Sequence, residues 1–96
     1  MRQLKIDEFV VKSLMRDLVS HDKKPSAFIV FLYIYCAIEN SEDDSVALSL
    51  NQLVDATGLS RSAVQGGIHT LLRRQLLTSD KKTVTTTPIY RVHKYW

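Results

Sequence analysis

The chain has 96 residues, of which 45% are hydrophobic and 24% are charged, and its formal net charge is +3. This length suits one small domain, residues 1–96, and the composition is typical of a globular protein, neither disordered nor fibrous. No run of 18 apolar residues is present, so no membrane span is expected. Asp7 and Glu8 lie where a signal peptide would have its apolar region, which argues against export. Cys36 has no second cysteine to pair with, so we expect a reduced thiol and a cytoplasmic protein.

Charge is distributed unevenly along the chain. Residues 1–50 contain six Lys or Arg and eight Asp or Glu, a balance of −2, whereas residues 51–96 contain seven Lys or Arg and two Asp or Glu, a balance of +5. A basic second half suits a polyanionic partner, although a solvated surface can also be basic by chance.

Residues 7–20 have the pattern of an N-terminal amphipathic helix. Helical spacing predicts one apolar face, formed by Val11, Leu14, Met15 and Leu18 and widened by Phe9, Val10 and Val19. This face is expected to cover the core or to meet the same helix of a second copy, which would make a homodimer.

Residues 25–40 are predicted to form the central buried helix. Proline is well placed in a first helical turn, and twelve unbroken apolar residues follow from Ala27 to Ile38. The aromatic residues of this run are most simply core, with Tyr33 or Tyr35 at an oligomer seam as an alternative. A pocket for a flat ligand between the rings is another alternative.

Residues 49–75 carry the signals of two short helices joined by a tight turn. Ser49 and Gln52 have the spacing of a capping box at the start of the first helix, and Gly58 is a residue suited to its end. Leu59 is expected to point inward from the turn, and Ser60 to cap the second helix. This arrangement is a helix-turn-helix.

The second helix is predicted to have a packing side and a free side. At about 100° per residue, Val64, Ile68 and Leu71 fall together. The opposite side carries Ser62, Gly66, His69 and Arg73, with Gln65 on its flank. Because the second helix of a helix-turn-helix enters the DNA major groove, Ser62, Gln65 and His69 are candidate base readers.

The stretch LNQLVDATGLSRSAVQGGIHTLLRRQLL resembles the winged helix-turn-helix family, in its apolar first helix, its TGLSRSAV turn and its Leu76–Leu77 strand start. The wider chain, from about Pro25 to Val92, is similar to domains of phage and plasmid replication initiators and of small bacterial transcription regulators. The resemblance implies an α+β fold with a three-helix core and a small antiparallel sheet as a wing.

Residues 76–96 are predicted to form the wing hairpin. One strand begins at Leu76, and a second runs from Ile89 to Trp96 with Tyr90 and Val92 against the core. The hairpin loop carries donors suited to phosphates or to minor-groove edges, namely Lys81, Lys82, Thr83, Thr85 and Thr86. The threonines have a second interpretation, as a plain β-prone loop.

Candidate phosphate contacts lie at both ends of the second helix. They are Ser60, Arg61, Arg73 and Arg74, which join Lys81 and Lys82 of the wing. Basic residues at a helix C-terminus also favour its dipole, so Arg73 and Arg74 have a purely structural interpretation as well.

Gly66 and Gly67 depart from the family pattern, which more often has polar or basic residues and helix formers there. Two glycines in a helix cost about 1 kcal/mol each relative to alanine. One hypothesis is close approach, of Gly66 to DNA and of Gly67 to a neighbouring helix. The other is a local weakness that tertiary packing tolerates.

No catalytic, metal-binding or cofactor-binding pattern is present. The three histidines lie in separate elements, and the acidic loop at residues 39–45 lacks the glycine and the spacing of a calcium loop. We therefore expect a non-enzymatic, nucleoid-associated protein that binds double-stranded DNA at a preferred sequence, in transcription regulation or in replication initiation. The rival hypothesis is a winged helix that only binds other proteins.

Overall fold

The computed structural model describes residues 3–81 and 86–96. A helical segment at residues 8–21 precedes three α-helices and three strands: α1 (Pro25–Glu39), β1 (Val46–Ala47), α2 (Leu50–Thr57), α3 (Arg61–Arg73), β2 (Leu77–Asp80) and β3 (Ile89–Val92). The strands form one antiparallel sheet in the order β1-β3-β2. This confirms the predicted α+β winged helix-turn-helix fold. Within the described ranges, no helix is both long and apolar enough to cross a membrane.

Helix α1 is the centre of the core. Its buried residues include Val30, Phe31 and Ile34, each with no exposed surface, and they pack with Val64 and Leu71 of α3. All the other elements are arranged around this helix. Burying a side chain of this size stabilises the fold by roughly 1.5 to 3 kcal/mol.

Local signals fix the two helices of the helix-turn-helix. The backbone N–H of Ser49 donates to Oε1 of Gln52 at 2.8 Å, and that of Gln52 donates to Oγ of Ser49 at 3.1 Å, which completes the capping box. Gly58 then ends α2 at φ 75°, a conformation that glycine adopts without steric cost. Leu59 is half-buried and packs against the core, as predicted.

The N-terminal helix buries only part of the predicted apolar face. Its buried residues are Val10, Leu14 and Leu18, whereas Val11 and Met15 are exposed. The reason is that most of this helix consists of wide π-type turns, Val10–Leu14 and Asp17–His21. Its buried residues therefore recur every four positions, a longer period than the 3.6 of an α-helix.

The end of the chain was also predicted incorrectly, since β3 stops at Val92 and does not reach Trp96. The Trp96 ring stacks on Phe9, with centroids 4.9 Å apart, and its indole N–H donates to Oδ2 of Asp7 at 3.0 Å. The backbone N–H of Asp7 in turn donates to the Tyr35 hydroxyl at 2.9 Å. The last residues thus fasten the N-terminal helix to α1.

Lys94 completes this terminal clasp, which we define as Asp7, Phe9, Lys94 and Trp96. Its Nζ lies 2.6 Å from Oε1 of Glu39 and 3.5 Å from Oδ2 of Asp7, and it sits over the Tyr35 ring. The hydrogen bond from Trp96, followed by the charge of Lys94, lowers the pKa of Asp7 below its ordinary 3.8. The hydrogen bond to Glu39 raises the pKa of Lys94. Both shifts favour the charged pair.

The contact between α1 and α3 is made at a glycine. A Cβ on Gly67 would lie 3.2 Å from both the Cα of Ala27 and the carbonyl oxygen of Ser26, in the first turn of α1. A Cβ on Gly66 would meet only the Nζ of Lys24, at 3.8 Å, an ordinary contact. The close approach predicted for Gly67 to a neighbouring helix is therefore confirmed.

We expect alanine substitutions at these two adjacent glycines to have opposite effects on stability. Gly67→Ala must push the α1 backbone away, and overpacking of this kind costs about 1 to 3 kcal/mol. Gly66→Ala adds a helix former in open space and should raise the free energy of unfolding by up to about 1 kcal/mol. Urea denaturation of both variants measures the difference. Equal effects would contradict this account of the helix contact.

The clasp should weaken in acid. Because the folded-state pKa of Asp7 is lowered, its stabilising contribution is present above the ordinary value of 3.8 and is lost as the pH falls through the folded-state pKa. Asp7→Asn should therefore destabilise the protein at about pH 6 and much less at about pH 3. Urea denaturation at both pH values tests this. A destabilisation that is independent of pH would assign the effect to packing alone.

Candidate nucleic-acid interface

Helix α3 presents a polar outer face to solvent. Ser62, Gln65, His69 and Arg73 are all exposed, and the opposite side is buried against the core. Three of these are the predicted base readers, and the structure brings them together on one face over two helical turns. Their amide, hydroxyl and imidazole groups can donate and accept hydrogen bonds, which is what contact with base edges needs.

Ser60 has a structural function at the start of α3. Its Oγ accepts a hydrogen bond from the backbone N–H of Ala63 at 3.2 Å and lies 3.4 Å from Oγ of Ser62. The predicted phosphate contact of Ser60 would have to share this oxygen with the cap.

Arg61 connects the two helices of the motif. Its Nη1 donates to Oδ1 of Asn51 in the first turn of α2, and both residues are exposed. The guanidinium carries further N–H donors beyond this bond. The hydrogen bond to Asn51 therefore holds the positive charge of Arg61 beside the start of α3, and the remaining guanidinium N–H groups can bind a partner.

Arg73 and Arg74 are adjacent in sequence but have different surroundings. Arg73 is exposed, and no ion pair is recorded for it within residues 3–81 and 86–96. Nη1 of Arg74 lies 3.1 Å from Oδ1 of Asp22, whose side chain is only 12% exposed. Because this pair holds Arg74 against the N-terminal segment, we leave Arg74 out of the proposed phosphate contacts.

The wing is described in part. Lys81 follows β2 and is exposed, and Thr86 is half-buried. The candidates Lys82, Thr83 and Thr85 lie outside the described residues. On the described side of the hairpin, Tyr90 is buried and Arg91 is exposed, as the predicted alternation required.

The sequence interpretation missed the residues just before α1. Lys23 and Lys24 are exposed, and Lys24 lies beside Gly66 on α3. The available signal was their position directly before Pro25, because the start of a central helix packs against its neighbours.

The acidic loop lies at the far end of α1 from this surface. Helix α1 has 15 residues, so its length is about 22 Å, and its first turn holds the close contact with Gly67 of α3. The loop at residues 41–45 follows its last turn, where Glu39 is paired with Lys94. Its negative charge is therefore remote from the α1–α3 contact.

A metal site and a ligand pocket are the two other kinds of site to consider within the described ranges. They contain no group of three or more His, Cys, Asp or Glu residues that could hold a metal ion. Phe28, Phe31 and Tyr35 are buried in the core, whereas Tyr33 is exposed, so the rings of this helix do not face one common space between them.

Comparison with known proteins identifies one similarity. Residues 41–81 match the family model of the IclR helix-turn-helix domain, a range that covers α2, α3 and β2. This match supports DNA binding and transcription regulation, and it gives no support to the predicted similarity to replication initiators. Neither the curated proteins nor the solved structures gave a match.

Two substitutions of Ser60 should separate capping from DNA contact. Ser60→Ala removes the cap and should lower the free energy of unfolding by about 1 kcal/mol, whereas Ser60→Asp keeps a capping oxygen and should retain stability. The aspartate charge would repel phosphate, so this variant should fold normally and bind DNA more weakly. Thermal denaturation and DNA titration together test this. A destabilised Ser60→Asp would contradict the capping assignment.

Proposed function

We propose that this chain binds double-stranded DNA at a preferred sequence and acts in transcription regulation. The observation that carries the proposal is the exposed polar face of α3, which belongs to a segment similar to the IclR helix-turn-helix domain. A helix of this motif is about as wide as the major groove, so its outer face can reach base edges.

The proposed contacts divide into two classes. Ser62, Gln65 and His69 would read bases, because they are polar, exposed and central on the outer face. Arg61, Arg73 and Lys81 would bind phosphates, because each carries an exposed positive charge at the edge of that face or on the wing. Lys82 and the wing residues Thr83, Thr85 and Thr86 complete the proposed set.

Whether the proposed DNA binding acts in transcription or in replication is a separate part of the proposal. Initiation of phage or plasmid replication would use the same surface as transcription regulation. The genomic position of the bound sites distinguishes the two, since promoters indicate regulation and an origin indicates initiation.

A homodimer is the second part of the proposal. The N-terminal helix leaves an exposed apolar stripe of Val11, Met15 and Val19, which supports pairing with a second copy. A two-fold protein reads two half-sites, so DNA fragments selected from a random pool should contain a palindrome.

DNA titrations at several salt concentrations test the proposed function. Each phosphate neutralised changes the slope of log affinity against log salt by about −0.9, so three or four contacts per chain predict a slope of about −3 per chain. Fluorescence anisotropy with labelled mixed-sequence duplexes measures this slope. Absence of binding at low salt, or binding that is indifferent to salt, would overturn the proposal.

Two double variants that each remove two positive charges, one from the α3 surface and one from the N-terminal region, should show which surface binds DNA. The double variant Arg73→Ala, Lys81→Ala should reduce the magnitude of the slope by about 1.8. The control is Lys5→Ala, Lys12→Ala, which removes the same charge from the N-terminal region, where Lys12 is paired with Glu8. If both double variants reduced the salt slope equally, net charge, and not this surface, would determine binding.

A further inference from the structure

The connector at residues 22–24 runs along the side of α3. At one end, Asp22 pairs with Arg74, and at the other the Nζ of Lys24 lies 3.8 Å from the Cβ position of Gly66. Gly66 and Arg74 are eight residues apart, or about 12 Å along the helix. The side chains of this connector therefore mark two positions on the proposed recognition helix that lie more than two turns apart.

Backbone contacts fix the position of Lys24. Its N–H donates to the carbonyl oxygen of Leu18 at 2.8 Å, and its own carbonyl oxygen accepts from the N–H of Ala27 at 3.0 Å. Lys23 adopts φ 55°, which turns the chain sharply at this point. The side chain of Lys24 makes no capping bond to α1, so its ammonium group is not used at the helix start.

Gly66 has no packing reason to be glycine. A Cβ on Gly67 would press on the α1 backbone at 3.2 Å, whereas a Cβ on Gly66 would meet, among the described residues, the Nζ of the flexible Lys24 side chain at 3.8 Å. We call the space over Gly66, which has no side chain of its own, the notch; the ammonium group of Lys24 lies over it. Glycine at this position destabilises the helix by about 1 kcal/mol relative to alanine.

The charge of the connector next to the notch is positive. Asp22 is its only acid, and that carboxylate is paired with Arg74. Lys23 and Lys24 are exposed, and neither has a recorded ion pair in the part of the chain that the structure describes. The notch is thus suited to an anion.

The notch lies on the flank of α3 away from β2. At about 100° per residue, Gly66 is about 120° around the helix from Leu72, which lines a groove with Leu77 and Thr78 of β2. The major groove is about 12 Å wide and a helix with side chains is 10 to 12 Å wide, so both flanks of a bound helix face backbone phosphates.

We propose that Lys24 and Gly66 form a binding site for one DNA backbone phosphate, on the opposite side of α3 from the wing. The proposal rests on the proposed DNA-binding function and extends it. Gly66 lets the phosphate approach the helix backbone, and Lys24 supplies the charge. The duplex is then held on both sides of the recognition helix, by the connector on one side and by Lys81 on the other.

Three variants test the site in the anisotropy assay with mixed-sequence duplexes. Lys24→Ala should reduce the magnitude of the salt slope by about 0.9 and weaken binding roughly five- to tenfold at about 0.1 M salt. Gly66→Ala should weaken binding several-fold, because its methyl group occupies the notch, while its thermal stability is retained or increased. Lys12→Ala, the control, should match the wild type.

The double variant Lys24→Ala, Gly66→Ala should lose less than the sum of the single losses, because both substitutions act on the same phosphate. A wild-type slope in Lys24→Ala, or wild-type affinity in Gly66→Ala, would overturn the site. Additive losses would also overturn it. If the wild type itself does not bind duplex DNA, the proposed function fails and not this site alone.

Discussion

The close packing of α1 on α3 at Gly67 is the constraint on which the arrangement of the molecule depends. With backbone atoms of α1 only 3.2 Å from the Cβ position of Gly67, the two helices approach more closely than most residues with a side chain would allow. This contact buries one side of α3, including Thr70 and Leu71, and leaves the opposite side in solvent. The orientation of the proposed DNA-reading face is therefore a consequence of core packing.

Both ends of α3 are fixed independently of this central contact. At the start, Ser60 caps the helix and Arg61 connects it to Asn51 of α2. At the end, Arg74 is held by Asp22. An ion pair with a mostly buried acid is sensitive to loss of either partner, because a buried charge would remain uncompensated. A helix held at its middle and at both ends presents its side chains with little freedom, which limits the entropy lost on binding.

The features predictable from sequence are those that neighbouring residues determine. The capping box of Ser49 and Gln52 and the helix end at Gly58 need only local hydrogen bonds, so their spacing was sufficient. The outer face of α3 followed from helical periodicity for the same reason.

The features that could not be predicted depend on residues distant in sequence or on an unusual helix geometry. The period of 3.6 residues placed Leu14 and Leu18 of the N-terminal helix correctly but also put Val11 and Met15 in the packing face, because its π-type turns bury Val10, Leu14 and Leu18 together. The clasp joins Asp7 to Trp96 across 89 positions, and no local pattern indicates such a pair. Arg73 and Arg74 look alike in sequence, and only the position of Asp22 separates them.

The modest net charge of +3 is a poor measure of how this surface would interact with DNA. Several acids are already paired: Glu8 with Lys12, Asp22 with Arg74, and both Asp7 and Glu39 with Lys94. The acidic loop lies beyond the far end of α1, about 22 Å from the first turn of α1, where Lys24 and Gly67 lie. Since salt screens exposed charges beyond about 10 Å at 0.1 M, this loop has little effect at that end of α1. The field that a phosphate meets there is set by its nearest charges, which include Arg61, Arg73 and Lys24. A chain with nearly balanced charge can therefore present a basic surface wherever its fold separates the acids from the bases.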